Sequence, residues 1–238
     1  MSQALPPTEF EPCEKVLIPQ KLYYRRGAFQ TIATEISTIK CAIFANNDDL
    51  EIMKLVEKEL NKIAGIVRVY PMFLDDSNHT TAQMTINSII PSVDTVVAVG
   101  SSKLFNEIAQ VLHKTPKQLV VLPTDGKPLA LMTGTFVSEA GAIVHDEKLI
   151  PEFVILDSGL THRITKQDTF MLAEVASVEE ETVMGTWTKT AQTLSAALLE
   201  GYGKIDMPVW KERATNLVGI TMLGKPDGNR VVKILGLI

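Results

Sequence analysis

A chain of 238 residues that is 45% hydrophobic, 21% charged and 6% aromatic has the apolar content of a globular protein with one large core or two unequal ones, which argues against disorder. A formal charge of -5 and a pI near 5.5 supply no excess of cations for a nucleic-acid backbone or an anionic membrane surface, so neither is expected as a partner. Cys13 and Cys41 stand in unrelated contexts without a C-x-x-C pair, which supports neither a disulfide framework nor a thiolate zinc site. The first residues, MSQALPPTEFEPCEK, are acidic and proline-rich rather than basic and then apolar, and no later apolar run reaches the roughly 20 residues that span a bilayer. The expectation is a cytoplasmic chain.

Residues 1 to about 14 read as an extended lead-in, because Pro6, Pro7 and Pro12 deny the backbone regular pairing. Lys21 to Phe29, KLYYRRGAF, suits a strand entering a glycine turn, and Cys41 to Ala45 is a short apolar strand. A helix is predicted from about Asp49 to Ile63, with Ile52, Leu55, Val56, Leu60 and Ile63 on one face and Asp48 or Asp49 as its cap. GIVRVYPMF then reads as a strand, HTTAQMTINSII as a helix stopped by Pro91, and DTVVAV as a strand buried on both faces. A helix from Ser102 to about Leu112 carries one apolar stripe, and the strand QLVVLP follows. Strands alternating with amphipathic helices predict an α/β fold with a mostly parallel, Rossmann-like sheet. Thr133 to Asp157 reads as two β-rich runs around Gly141, a hairpin extending the sheet, followed by the strand FVILD. From about Thr165 the pattern turns helical, with a further helix near Val209 to Leu223 and a last apolar segment, VVKILGLI. The expected organisation is a nucleotide-binding sheet domain over residues 15–160 and a short helical region over 161–238.

Gly100 sits where a buried parallel strand meets a helix, the place where such sheets bind phosphorylated ligands. Ser101 and Ser102 are placed either to cap that helix or to donate to a pyrophosphate. The plain alternative is an ordinary glycine turn with a serine cap. Asp48 or Asp49, after the preceding strand, is placed near an adenosine ribose, and Thr124, Asp125 and Lys127 lie at the same sheet end as Gly100.

YYRRGAF, DTVVAVGSSK, VVLPT and PEFVILDSGLT occur in the order and near the separations of matching segments in the dehydroquinate synthase-like superfamily. This family includes glycerol dehydrogenase, glycerol-1-phosphate dehydrogenase and the iron-containing alcohol dehydrogenases, and the resemblance runs from about Lys21 to Thr161. It implies that Gly100, Ser101 and Ser102 stand where the family's three glycines meet a dinucleotide, NAD or NADP. It also implies that Pro123 and Thr124 match a cofactor-contacting turn, and that Pro151, Phe153 to Leu156 and Asp157 match the strand closing the sheet domain. The departures are specific. Serine lacks glycine's easy access to positive φ, and Asn106 stands where the family carries an aspartate, so a negative charge near the cofactor is gone.

The resemblance extends to the family's metal site, held between an aspartate and histidines in a helical region. TWTKTAQTLSAALLEGYGK resembles the helix bearing the aspartate, but the ligand places hold Gln192 and Ala196, and no histidine follows NLVGITMLGKPDGNR. The histidines are His79, His113, His145 and His162, which leaves the last 76 residues with none, so no metal is expected. The chain is also shorter than a usual member, which removes part of the substrate cleft and leaves open a homo-oligomer or a partner chain. The plain readings are His79 before a helix, His113 at a solvent-facing helix end, His145 at a strand end and His162 after the last strand. HDEK, His145 to Lys148, reads as a hairpin tip, Glu179 to Glu181 as a solvated face, and Trp187 and Trp210 as packing helices against the sheet. No catalytic residue is assigned. Two readings stay open: a divergent NAD(P)-dependent oxidoreductase with impaired or absent activity, or a non-catalytic relative binding a nucleotide or a protein.

Overall fold

The structure is a computed structural model that describes residues 19–74, 79–127, 130–161, 163–175, 183–223 and 228–235. The lead-in, His162 and Glu179 to Glu181 lie outside the described residues, as does the side chain of Trp187. Six strands form one parallel sheet: β1 (Lys21–Tyr24), β2 (Lys40–Asn46), β3 (Ile66–Met72), β4 (Thr95–Gly100), β5 (Gln118–Pro123) and β8 (Phe153–Leu156). Their spatial order is β1-β8-β5-β4-β2-β3. From β2 the chain runs outward to β3 and then crosses back to β4, so the order reverses between β2 and β4. Open α/β sheets bind ligands at such a reversal, outside the carboxyl ends of the strands.

Alternation along the apolar strands divides them between two cores. Ala42, Phe44, Val96, Ala98 and Val121 face one side with α3 (His79–Ile89) and α4 (Ser102–Leu112). Cys41, Ile43, Ala45, Val97, Val99 and Val120 face the other with α1 (Ile32–Glu35) and α2 (Leu50–Leu60). Burial on both faces explains why these strands read as unbroken apolar runs. The Cys41 thiol is buried in the second core, and desolvation pushes its pKa up to about 12, so it behaves as a small hydrophobe. On α2, Ile52, Val56 and Leu60 are buried as predicted, but Leu55 is exposed and Met53 takes its place in the core. His79 is the first residue of α3 rather than the residue before it.

The predicted hairpin exists but does not extend the sheet: β6 (Thr135–Val137) and β7 (Ile143–His145) form a separate two-stranded sheet. Two contacts account for this. The edge beside β5 is taken by β8, and Asn106 on α4 donates Nδ2 to the Val137 carbonyl at 3.0 Å and accepts its N–H at 2.7 Å, pinning β6 to the helix. Gly141, at φ 75°, lies in the turn at the hairpin tip, so HDEK is the exit from β7 and not the tip.

Helices α5 (Lys166–Val175), α6 (Val183–Gly201), α7 (Met207–Leu223) and α8 (Gly228–Ile234) complete the described chain. Trp210 is buried and donates Nε1–H to the Leu198 carbonyl at 2.9 Å, so it joins α7 to α6 as well as entering the sheet-side core. Helix α7 approaches β8 and β1 at Gly219, where a Cβ would lie 3.0 Å from Leu156 Cδ1. No helix among the described residues is long and apolar enough to cross a membrane.

Candidate functional site

The candidate site is the reversal between β2 and β4. Strand β4 ends at Gly100 with φ 150°, a conformation that L-residues with a side chain rarely adopt. Ser101 takes the N-cap position of α4 with an extended backbone, but its hydroxyl makes no capping bond. The Ser101 N–H instead donates to Oδ1 of Asn46, the last residue of β2, at 2.7 Å. Asn46 also fills the space over Gly100: a Cβ built there would overlap the carboxamide, lying 2.8 Å from its Cγ. The missing side chain at Gly100 is therefore used by the protein itself. Gly100, Ser101 and the buried Ser102 share the predicted place, and the Asn46 carboxamide covers Gly100 in this arrangement.

Past the strand ends, three polar residues meet above this point. Asp49, predicted as a helix cap, occupies the N-cap position of α2 without a capping bond. Its fully buried carboxylate accepts the Thr124 hydroxyl at 2.9 Å and Arg163 at 2.6 Å. Arg163 also donates to Thr124 Oγ1 at 2.6 Å, and its other terminal nitrogen lies 3.7 Å from Asp48. The backbone repeats the link, with Thr124 N–H donating to the Gly100 carbonyl at 3.0 Å and Arg163 N–H to the Thr124 carbonyl at 3.2 Å. A buried carboxylate is tolerated here because a guanidinium nitrogen and a hydroxyl, both on Oδ2, replace water there. Asp48, by contrast, remains exposed at the crevice mouth.

Sequence reasoning missed Arg163. Its signal was positional: it stands six residues beyond Asp157, in the loop after β8, at the same sheet end as Gly100. Lys127 is half-buried in the loop after β5, and its N–H donates to Asp125 Oδ1 at 3.3 Å. Burial pushes the Asp125 carboxyl up to about 6, against the opposing pull of the Lys127 amide and charge; the Asp168 carboxylate raises it further and Arg163 lowers it. Asp157, which the family resemblance places at the close of the sheet domain, accepts N–H bonds from Gly27 at 3.0 Å, Phe29 at 3.1 Å and Gly159 at 2.8 Å. It holds the turn after β1 and points to no ligand. Asn106 is likewise committed to Val137.

On α6, Gln192 is half-buried and Ala196, one turn on, is exposed. An amide and a methyl group do not make the donor set of a zinc or iron site, which favours imidazole nitrogen and carboxylate oxygen. No group of three or more His, Cys, Asp or Glu side chains is placed to hold a metal among the described residues. His113, exposed at the end of α4, pairs with Asp146 at 2.7 Å, and His145 ends β7 with Nδ1 3.4 Å from Thr135 Oγ1. Both serve the hairpin. A cavity of about 520 Å³ opens at the carboxyl ends of β1 and β8, between Arg26, Ser158, Gly159 and the first turn of α7. It lies away from the crevice at Gly100.

No family model matches this sequence, and no curated protein is similar to it at a significant level. Solved structures do share its fold. A maleylacetate reductase from Agrobacterium tumefaciens superposes with a TM-score of 0.68 at 16% identity, covering 90% of this chain and 65% of the reductase. An alcohol dehydrogenase from Oenococcus oeni gives 0.72 at 14% identity, covering 89% of this chain and 66% of the enzyme. An iron-containing alcohol dehydrogenase from Corynebacterium glutamicum gives 0.66 at 15% identity, with coverage of 88% and 64%. The chain thus spans just under two thirds of the length of these relatives. Its fold is that of these alcohol dehydrogenases and maleylacetate reductases.

Proposed function

We propose that this chain, with the fold of an iron-containing alcohol dehydrogenase, is a divergent NAD(P)-dependent oxidoreductase-like protein whose metal-dependent activity is impaired or absent. The observation that carries this reading is the pair Gln192 and Ala196 on α6, where the resemblance calls for an aspartate and a histidine. A bound cation polarises an alcohol oxygen and stabilises the developing alkoxide, a contribution on the order of 10³-fold or more in rate. Lys127 and Arg163 lie at this sheet end, and neither replaces that role. Arg163 is committed to Asp49 and Thr124, and a flexible ammonium orients an alkoxide less firmly than a coordinated ion.

Any dinucleotide phosphate would bind at Gly100, Ser101 and Ser102, with Thr124, Lys127 and Asp48 around it. The Asn46 carboxamide already on the Ser101 N–H favours the second reading, a non-catalytic relative in which nucleotide binding, if retained, is weak. Following NADH absorbance across a panel of polyols and short alcohols, with and without added Zn²⁺ or Fe²⁺, tests the proposal. The expected result is no turnover above background under either condition. Robust turnover that disappears in Lys127→Ala would show that the chain rebuilt its chemistry without the family's ligands.

A further inference from the structure

Strand β4 lies between β2 and β5 in the sheet, yet Asp49, just past β2, and Thr124, just past β5, are hydrogen-bonded to each other. Their contact passes over the end of β4, and Arg163 fastens it from the loop after β8. Beneath this roof the Asn46 carboxamide lies on Gly100. We infer that Asn46 and Arg163 form an internal plug in the crevice, which a diphosphate must displace; the inference rests on the nucleotide reading above and concerns regulation of that same site. Each group stands in for part of such a ligand interaction. The Asn46 oxygen accepts the Ser101 N–H that an anion at the start of α4 would accept, and the guanidinium binds the Asp48 and Asp49 carboxylates as it binds phosphate.

The plug makes the site selective for ligands with enough charge to compete. A neutral molecule offers nothing that replaces the carboxylates on Arg163, whereas a diphosphate offers bidentate oxygens to the guanidinium and an acceptor to Ser101. Arg163 is 31% exposed on its side chain, so it can reach an entering anion, while Asp49 is fully buried and stays behind. Exchange of partner then depends on the balance between ligand phosphate and Asp49.

Calorimetric titration of ADP-ribose into the full chain, the Asn46→Ala variant and the Asp49→Asn variant tests this. Asp49→Asn preserves the shape of the side chain and its capacity to accept from Thr124, but removes the charge that holds the guanidinium, so affinity should rise about tenfold. Asn46→Ala removes the competing acceptor and should raise affinity about fivefold. Hydrogen exchange at the Ser101 amide gives a readout independent of ligand: slow in the parent chain and fast in Asn46→Ala. It also serves if Asp49→Asn does not fold. Unchanged or weaker ADP-ribose binding in both variants, with the parent chain binding, overturns the plug and leaves the nucleotide reading standing. Absence of binding in all three overturns both. Fast exchange at Ser101 in the parent chain overturns the plug by itself.

Discussion

At the carboxyl ends of β2, β4 and β5, the Ser101 amide, the bare surface of Gly100 and the Thr124 hydroxyl are all present but are bonded to, or covered by, other side chains of the same molecule. On α6 the backbone is equally regular, and in the reading proposed above Gln192 and Ala196 stand where donor atoms would be needed. The two regions show how differently sites depend on sequence. A phosphate cradle is made mainly of backbone N–H groups and a helix start, so it persists as long as the fold does and can be filled or emptied by one neighbouring side chain. A metal site is made of side-chain lone pairs, so two substitutions are enough to remove such a site without disturbing the helix that carries it.

The sharpest way to break this comparison is to remove Arg163. Arg163→Ala leaves the fully buried Asp49 carboxylate without its cation, and chemical denaturation should show a loss of about 3–5 kcal/mol. A loss below about 1 kcal/mol would mean that the crevice is not held together by its own charges. Asp125 is next. Its carboxyl is raised from the usual 3.8 to about 6, so between about pH 4 and pH 6 the folded chain keeps a proton that the unfolded chain has released. Stability therefore falls as pH rises through that window, by up to about 3 kcal/mol once the buried group is ionised. Asp125→Asn should be nearly neutral at pH 4 and stabilising by about 2 kcal/mol at pH 8, measured by urea midpoints at both values.

Smaller effects sharpen the contrast. Asn106→Asp keeps an acceptor for the Val137 N–H but loses the donor to the Val137 carbonyl, and should cost about 1–2 kcal/mol with the largest rise in hydrogen exchange in β6. Ala196→His places an imidazole on an exposed helical position and should alter stability by no more than about 0.5 kcal/mol. A much larger cost would show that this face of α6 is covered in solution.

The strands were legible because parallel strands buried on both faces need unbroken apolar runs, and CAIFA and DTVVAV are such runs. Gly100 was legible for a related reason: a glycine where a buried strand meets a helix marks a close approach. What approaches it was not legible. The sequence places Asn46 just past the strand Cys41 to Ala45 and Gly100 where DTVVAV meets a helix, but not those strands as neighbours in the sheet. Asp49 shows the limit more clearly. Local spacing makes it a helix cap, and it does occupy that position, but its carboxylate is drawn to Arg163, 114 residues later, by a long-range ion pair. The hairpin failed in the same manner. Its two runs and its turn residue are local, whereas its exclusion from the main sheet depends on β8 arriving beside β5 and on Asn106 reaching Val137.

The bonds from Gly27 and Phe29 to Asp157 join parts of the chain about 130 residues apart, and among the described residues β1 pairs only with β8. During synthesis β1 must wait for nearly all the described sheet to be made before β8, its partner, emerges. Until Phe153–Leu156 emerge, β5 is itself an open edge, with apolar side chains on both faces. Closing such distant pairings is slow, and an unpaired edge is where nascent chains associate wrongly. Asp157, with three N–H groups to gather, converts that late meeting into a fixed joint, so the sheet becomes resistant to misassembly only when β1 and β8 have found each other.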